Sequence, residues 1–272
     1  MNALVIVCIL TVMIHFSETI ASSMRLAGVR TKQVATSISF VNASLIVSRM
    51  SNMLQAPLVG GMVDTAILKG DVFTLQANFR IIIFCAFIGN LIGALLVPFA
   101  VFVFTKAIYK FEEIGSLPRV ILLAFHPKNI LAMLRGFRLP SLHSFKGISL
   151  AGIPKTFLVL NAFMVSIYAI GVLSSLFAGA QIPTYRVTAT QLSGIVNGIA
   201  TVLLVLMVDP VCAHITDQAV RGKRKEGDVK TMVFYIVLGR LFGTLILAQL
   251  LFLPAIEYIK FVTLLVKSLF LN

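Results

Sequence analysis

Six apolar runs, each near the length of a helix that crosses a bilayer, divide the chain at 3–23, 34–56, 81–105, 154–179, 189–212 and 231–256. Hydrocarbon offers peptide groups no partner, so such runs are predicted to be helices, which satisfy their own N–H and C=O groups. The predicted fold is all-α, a polytopic membrane helix bundle of six spans. Composition agrees, with hydrophobic residues at 58% of 272 positions and charged residues at 12%. That is the balance of a membrane protein rather than of a soluble domain. Residues 1–23 carry no Lys or Arg ahead of their apolar core, and His15 and Glu18 interrupt its end. The segment therefore reads as a retained first helix, not as a cleaved signal.

A net charge of +13 would suit a nucleic-acid partner, but the positions of the charges assign it elsewhere. Sixteen Lys and Arg residues cluster in or beside the links between spans 1 and 2, 3 and 4, and 5 and 6. The alternate side holds only Lys69, Arg80, Arg186, Lys260 and Lys267. Positive charge marks cytoplasmic links, so both termini are predicted outside. The basic links would attract anionic inner-leaflet lipids, and no nucleic-acid partner is expected. The long middle link divides the chain into a three-helix unit at 1–105, a basic cytoplasmic linker at 106–153 and a second three-helix unit at 154–272. Its apolar stretches 121–125 and 130–134, bounded by Pro118, Pro127 and Pro140, are expected to form short helices in the interface or a plain tether.

Arg49 sits deep in the second run. An arginine in hydrocarbon costs from about 2.5 to more than 10 kcal/mol, so it is kept where it faces protein, water or a ligand. At helical pitch Asn42, Arg49 and Asn52 fall near one face, with Ser44, Ser48, Ser51 and Gln55 roughly opposite. A helix polar on two sides is predicted to lie inside the bundle. The first run carries a stripe of its own, in which Thr11, His15, Glu18, Ser22 and Arg25 share an arc of roughly 80°. Glu18 reads either as a proton or cation site on a transport path or as the structural partner of an arginine from another span.

The two halves share short motifs. GNLIG at 89–93 parallels GRLFG at 239–243, and ATSIS followed by Asn42 parallels ATQLS followed by Asn197. Each half holds an odd number of spans, so a duplicated second half enters the membrane upside down. Two inverted three-helix repeats with a site near the midplane are a transporter architecture. Arg240 stands where the first repeat has Asn90. It is predicted to meet an anionic ligand, with a salt bridge to Glu18 or Asp209 as the alternative. Asp209-Pro210 itself reads as a helix end or kink.

Signatures of other chemistry are missing. His15 and Glu18 spell H-x-x-E, but the nearest further ligands, His214 and Asp217, lie on a distant link, so no metal site is expected. Cys8, Cys85 and Cys212 all lie in apolar runs without metal-like spacing. No nucleophile elbow, phosphate loop or paired metal-binding carboxylate motif occurs. The chain is read as a non-enzyme that needs no cofactor.

The stretch 14–64, above all ETIASSMRLAGVR at 18–30 and LIVSRMSNMLQAP at 45–57, resembles the Amj family of lipid II flippases, the alternates to MurJ. The second half matches in pattern only. The resemblance implies movement of undecaprenyl-pyrophosphate-linked peptidoglycan precursor, lipid II, from the inner to the outer leaflet of a bacterial cytoplasmic membrane. It brings no residue set with it and leaves a homo-oligomer open. The residues themselves nominate Arg49 and Arg240 for the pyrophosphate, because planar guanidinium forks match phosphate oxygens. His15, Glu18, Asn42, Asn52, Asn90 and Asn197 are nominated to line a cavity or couple transport. An intramembrane enzyme acting on a polyprenyl-phosphate carrier and a non-catalytic membrane assembly protein are the competing classes.

Overall fold

The computed structural model describes residues 2–141, 147–149 and 152–271; Lys146 of the basic linker lies outside them. Three long helices form the first half: α1 (Ala3–Thr31), α2 (Val34–Lys69) and α3 (Val72–Ile114). The linker contributes α4 (Leu117–Ala124) and α5 (Pro127–Arg135). The second half holds α6 (Lys155–Gln181), α7 (Arg186–Leu203), α8 (Asp209–Val220), α9 (Glu226–Phe242) and α10 (Ala248–Leu271). A π-helical turn at Leu204–Val208 joins α7 to α8, and another at Gly243–Leu247 joins α9 to α10. The three-rod plan thus recurs. The rods of the second half start 152, 152 and 154 residues after those of the first.

Tight reversals set the first half. Lys32 (φ 58°) closes α1, and Gly70 (φ 66°) closes α2 in the left-handed conformation that glycine adopts without a Cβ penalty. Asp71 then caps α3, accepting from the Thr74 N–H at 3.0 Å. Hydrogen bonds from Thr74 hold the Asp71 carboxyl below the usual aspartate range. These caps lie well beyond the apolar runs. The predicted spans 34–56 and 81–105 lie within longer helices, which continue past Pro57 to Lys69 and begin at Val72.

Gly28 lies against Ser37, Ser48 bonds Glu18, and Gln55 bonds Thr11. These pairs step in opposite directions along α1 and α2, so the helices are antiparallel and share the same depth. Five helical segments are long and apolar enough to cross a membrane: Ala3–Thr31, Val72–Ile114, Lys155–Gln181, Pro183–Val220 and Glu226–Phe270. α2 falls short because serines, asparagines and Arg49 interrupt it. Its register on α1 sets it at the same depth as that helix, while by length and composition the sixth candidate span is the bent pair Leu117–Ala124 and Pro127–Arg135. α2 is not enclosed, however, contrary to the expectation from its two polar faces. Its serine face packs on α1, while Arg49, Asn42 and Asn52 are exposed together with Met50, Met53 and Leu54. The linker helices α4 and α5 meet at a 76° bend and expose Ile121, Leu122, Leu131 and Leu134.

Glycines set the close contacts inside each half. A Cβ on Gly89 would lie 2.5 Å from the Val12 carbonyl oxygen of α1, and one on Gly243 would lie 2.6 Å from that of Ala162 in α6. Both GxxxG motifs therefore seat a long helix on the first helix of its own half. At the end carrying the α2–α3 turn, one core gathers all six rods, with Val59 and Val63 of α2 packed among Phe79, Phe177 and Phe252. Those three rings stand 6.0–6.5 Å apart, centroid to centroid. At the basic end the core divides. Phe40 of α2 clusters with Met24, Ala27, Ile108 and Val120, while Leu26 and Val101 join the second half. Among the described residues, α2 shares no core with the second half at that end.

Candidate functional site

Glu18 stands midway along α1, at the seam between the halves. Its Oε2 accepts from Arg240 Nη1 of α9 at 3.0 Å, and its Oε1 accepts from Ser48 Oγ of α2 at 3.0 Å. Both charged side chains are largely enclosed, with exposures of 12% for Glu18 and 18% for Arg240. An isolated buried charge is costly, so each of the two needs the other close by. The expected alternative partner, Asp209, bonds Arg25 of α1 at 2.9 Å instead. It stands at the start of α8, next to the π turn.

A second polar chain lies beside the pair. Thr19 Oγ1 donates to Asn90 Oδ1 at 2.7 Å, and Asn90 Nδ2 donates to Thr244 Oγ1 at 3.1 Å. Thr244 in turn donates to the Arg240 carbonyl at 2.8 Å. Thr244 lies in the π turn, a distortion that recurs at functional sites because it redirects backbone and side chains. Asn90 and Arg240, matched by the sequence motifs, thus meet through one threonine. His15, one helical turn from Glu18, is buried beside Gly89, and its Nδ1 and the Arg240 Nε lack hydrogen-bond partners.

Arg49 takes no ion pair or hydrogen bond among the described residues. The antiparallel register sets it level with Ser17, next to Glu18. Tyr168 of α6 lies within electrostatic reach of Glu18, Arg240 and Arg49 together. Of the two arginines, Arg240 is paired with Glu18, and Arg49 has no ion-pair partner among the described residues. Asn52 and Asn42 continue the Arg49 flank of α2, Asn42 toward the basic end. Asn197 is apart from them, in α7, with its buried Oδ1 against Gly171 and no partner. The sequence reading missed Ser48 as a ligand of Glu18, and with it Thr19, Thr244 and Tyr168. Ser48 alone had a signal, since it lies on the serine face opposite Arg49.

Other polar links between the halves lie toward the ends. Arg30 bonds Glu226 at 2.7 Å at the basic end, and Asp64 bonds Arg186 at 2.8 Å at the other. Arg80 and Gln249 exchange hydrogen bonds nearby. Among the described residues, no group of three His, Cys, Asp or Glu side chains is placed to hold a metal.

Comparison with known proteins identifies this arrangement. The family described as Amj, alternate to MurJ, matches residues 10–263. A Bacillus subtilis (strain 168) protein named lipid II flippase Amj is 40% identical over 263 residues, covering 96% of this chain and 97% of the relative. No solved structure matches.

Proposed function

The chain belongs to the Amj family, and from that premise we propose that it moves lipid II from the inner to the outer leaflet of the bacterial cytoplasmic membrane. Its work is transport, without chemical conversion of the lipid. The observation that carries this reading is the 40% identity to a lipid II flippase across almost the whole of both chains. The charged seam fits the task. A pyrophosphate crossing hydrocarbon needs a fixed positive counter-charge, and Arg49 offers an unpaired guanidinium at mid-depth. Arg240 stands in reserve behind Glu18. Within the seam the pyrophosphate would engage Arg49 and then compete with Glu18 for Arg240, passing between two guanidinium groups while its isoprenoid tail stays in lipid.

The two halves are read as inverted repeats that rock about this seam. With the basic links in the cytoplasm and both termini outside, α2 is read as the helix that stands apart from the second half at the cytoplasmic end. The shared phenylalanine core and the Asp64–Arg186 pair would then form the outer gate. That pair is about half exposed, and exposed pairs contribute only about 0–1 kcal/mol, so it can open readily. Cysteines at Asp64 and Arg186 joined by a short thiol cross-linker should stop transport, and cleaving the linker should restore it. Unimpaired transport by the cross-linked protein would show that this end does not open.

Expression in cells depleted of their other lipid II flippases tests the function: growth is expected with this chain and lysis without it. Orientation is tested in a Cys-free background with an impermeant thiol reagent. A cysteine at Lys69 should react from outside and one at Lys223 should not. The reverse pattern would overturn the assignment of the basic links to the cytoplasm.

A further inference from the structure

One cavity is lined by none of the residues of the charged seam. It is a cleft of about 940 Å³ between α3 and α9, lined also by the end of α1 and by the linker segment at 138–141. Its walls are apolar, built by Leu91, Val97, Val237 and Leu241 among others, and its rim carries Arg30, Arg138 and Lys230. Leu95 and Leu238 on its flanks are exposed, so the cleft opens sideways toward lipid.

Its dimensions follow a single leaflet. From Lys230 to Leu241 the α9 wall rises about 16 Å at 1.5 Å per residue, against roughly 15 Å for half of the hydrocarbon core. The cations lie at one end and apolar side chains fill the remainder. This is the polarity of an inner-leaflet lipid, with its charged group at the surface and its chain toward the midplane. The charge count selects among such lipids. Glu226 already bonds Arg30 at 2.7 Å, so three cations less one carboxylate leave two positive charges at the rim. A pyrophosphate diester brings two negative charges, a phosphodiester lipid one. Arg138 is steadied over the Phe102 ring at 5.8 Å, and Lys230 has no ion-pair partner among the described residues.

We propose that this cleft is a loading site for the polyprenyl pyrophosphate portion of the lipid substrate. Arg30, Arg138 and Lys230 hold the two phosphates, and the α3 and α9 walls hold the first isoprene units. The proposal rests on the transport reading for its biological sense, but it makes a binding claim of its own. It also gives the linker a task, because Arg138 comes from the segment that joins the two halves.

The chain contains no tryptophan, so Phe234→Trp, on the cleft wall, gives a single reporter, and Val97→Trp gives a second on the opposite wall. In neutral-lipid nanodiscs, a long-chain polyprenyl pyrophosphate should change the emission of either reporter saturably. Phosphatidylglycerol should need at least a tenfold higher mole fraction. Arg138→Gln with Lys230→Gln should weaken polyprenyl pyrophosphate binding tenfold or more. No response from either reporter, equal response to phosphatidylglycerol, or indifference to the double substitution would each overturn the proposal. Charge-dependent binding here by a protein that leaves lipid II in its original leaflet would keep the loading site and end the transport reading. Lipid II reversal by a protein whose cleft is inert would do the opposite.

Discussion

Arg240→Ala is expected to deplete the protein from the membrane, because it strands Glu18 as a lone carboxylate. Breaking a buried ion pair by removing one partner costs about 3–5 kcal/mol, a large fraction of the stability of most folded proteins. Glu18 is 12% exposed, and its remaining protein contact is a neutral hydroxyl from Ser48. Glu18→Gln strands Arg240 in turn and should also lower accumulation. The double variant Glu18→Gln with Arg240→Gln removes both charges, leaves two amides within hydrogen-bonding reach, and should recover much of the folded protein. Its transport should stay low, because the second phosphate-binding guanidinium is gone. Accumulation by immunoblot and thermal unfolding in detergent check the first part, and growth rescue checks the second. Equal loss in the single and double variants would show that the pair is not coupled.

Arg49→Ala should produce the opposite pattern, with normal accumulation and lost function. The side chain is exposed and has no partner, so its removal should change stability by no more than about 0.5 kcal/mol. Hydrogen bonds to charged groups are each worth roughly 1.5–3 kcal/mol. Loss of one at the rate-limiting crossing slows transport roughly ten- to a hundredfold, at about 1.4 kcal/mol per decade. Arg49→Lys keeps the charge without the planar fork and should restore part of the rate. The two arginines, equivalent candidates by type, are thus expected to separate by their surroundings: loss of Arg240 should cost both folding and transport, and loss of Arg49 transport alone.

The helical bundle was legible in the sequence because hydrocarbon leaves a backbone no other solution. Runs of apolar residues mark where the helices cross, but not where they end. Pro57 and the Gly60-Gly61 pair look like the end of α2, yet the helix continues to Lys69 before Gly70 turns it. Glu18, Arg49 and Arg240 stood out as costly groups, and a Glu18 salt bridge to Arg240 was among the possibilities. Which arginine would take Glu18 depended on how the two halves dock, and helical periodicity carries no information about docking. The same holds for the Thr19–Asn90–Thr244 chain. Thr19 lies off the stripe of His15 and Glu18, and Thr244 is an ordinary span threonine, four residues from Arg240, until docking brings Asn90 against it. The two-faced polarity of α2 misled for a related reason. One face serves α1, and the other, which carries Arg49, is exposed.

The central claim is that the protein alone carries lipid II across a bilayer through Arg49. Purified protein in liposomes holding fluorescently labelled lipid II in both leaflets, probed with an impermeant quencher, measures this directly. Wild type should make nearly all of the label accessible over time, with the lipid recovered chemically unchanged. Arg49→Ala at equal incorporation should leave about half of it protected on the same timescale. Full accessibility with Arg49→Ala, or no gain with wild type, would contradict the account.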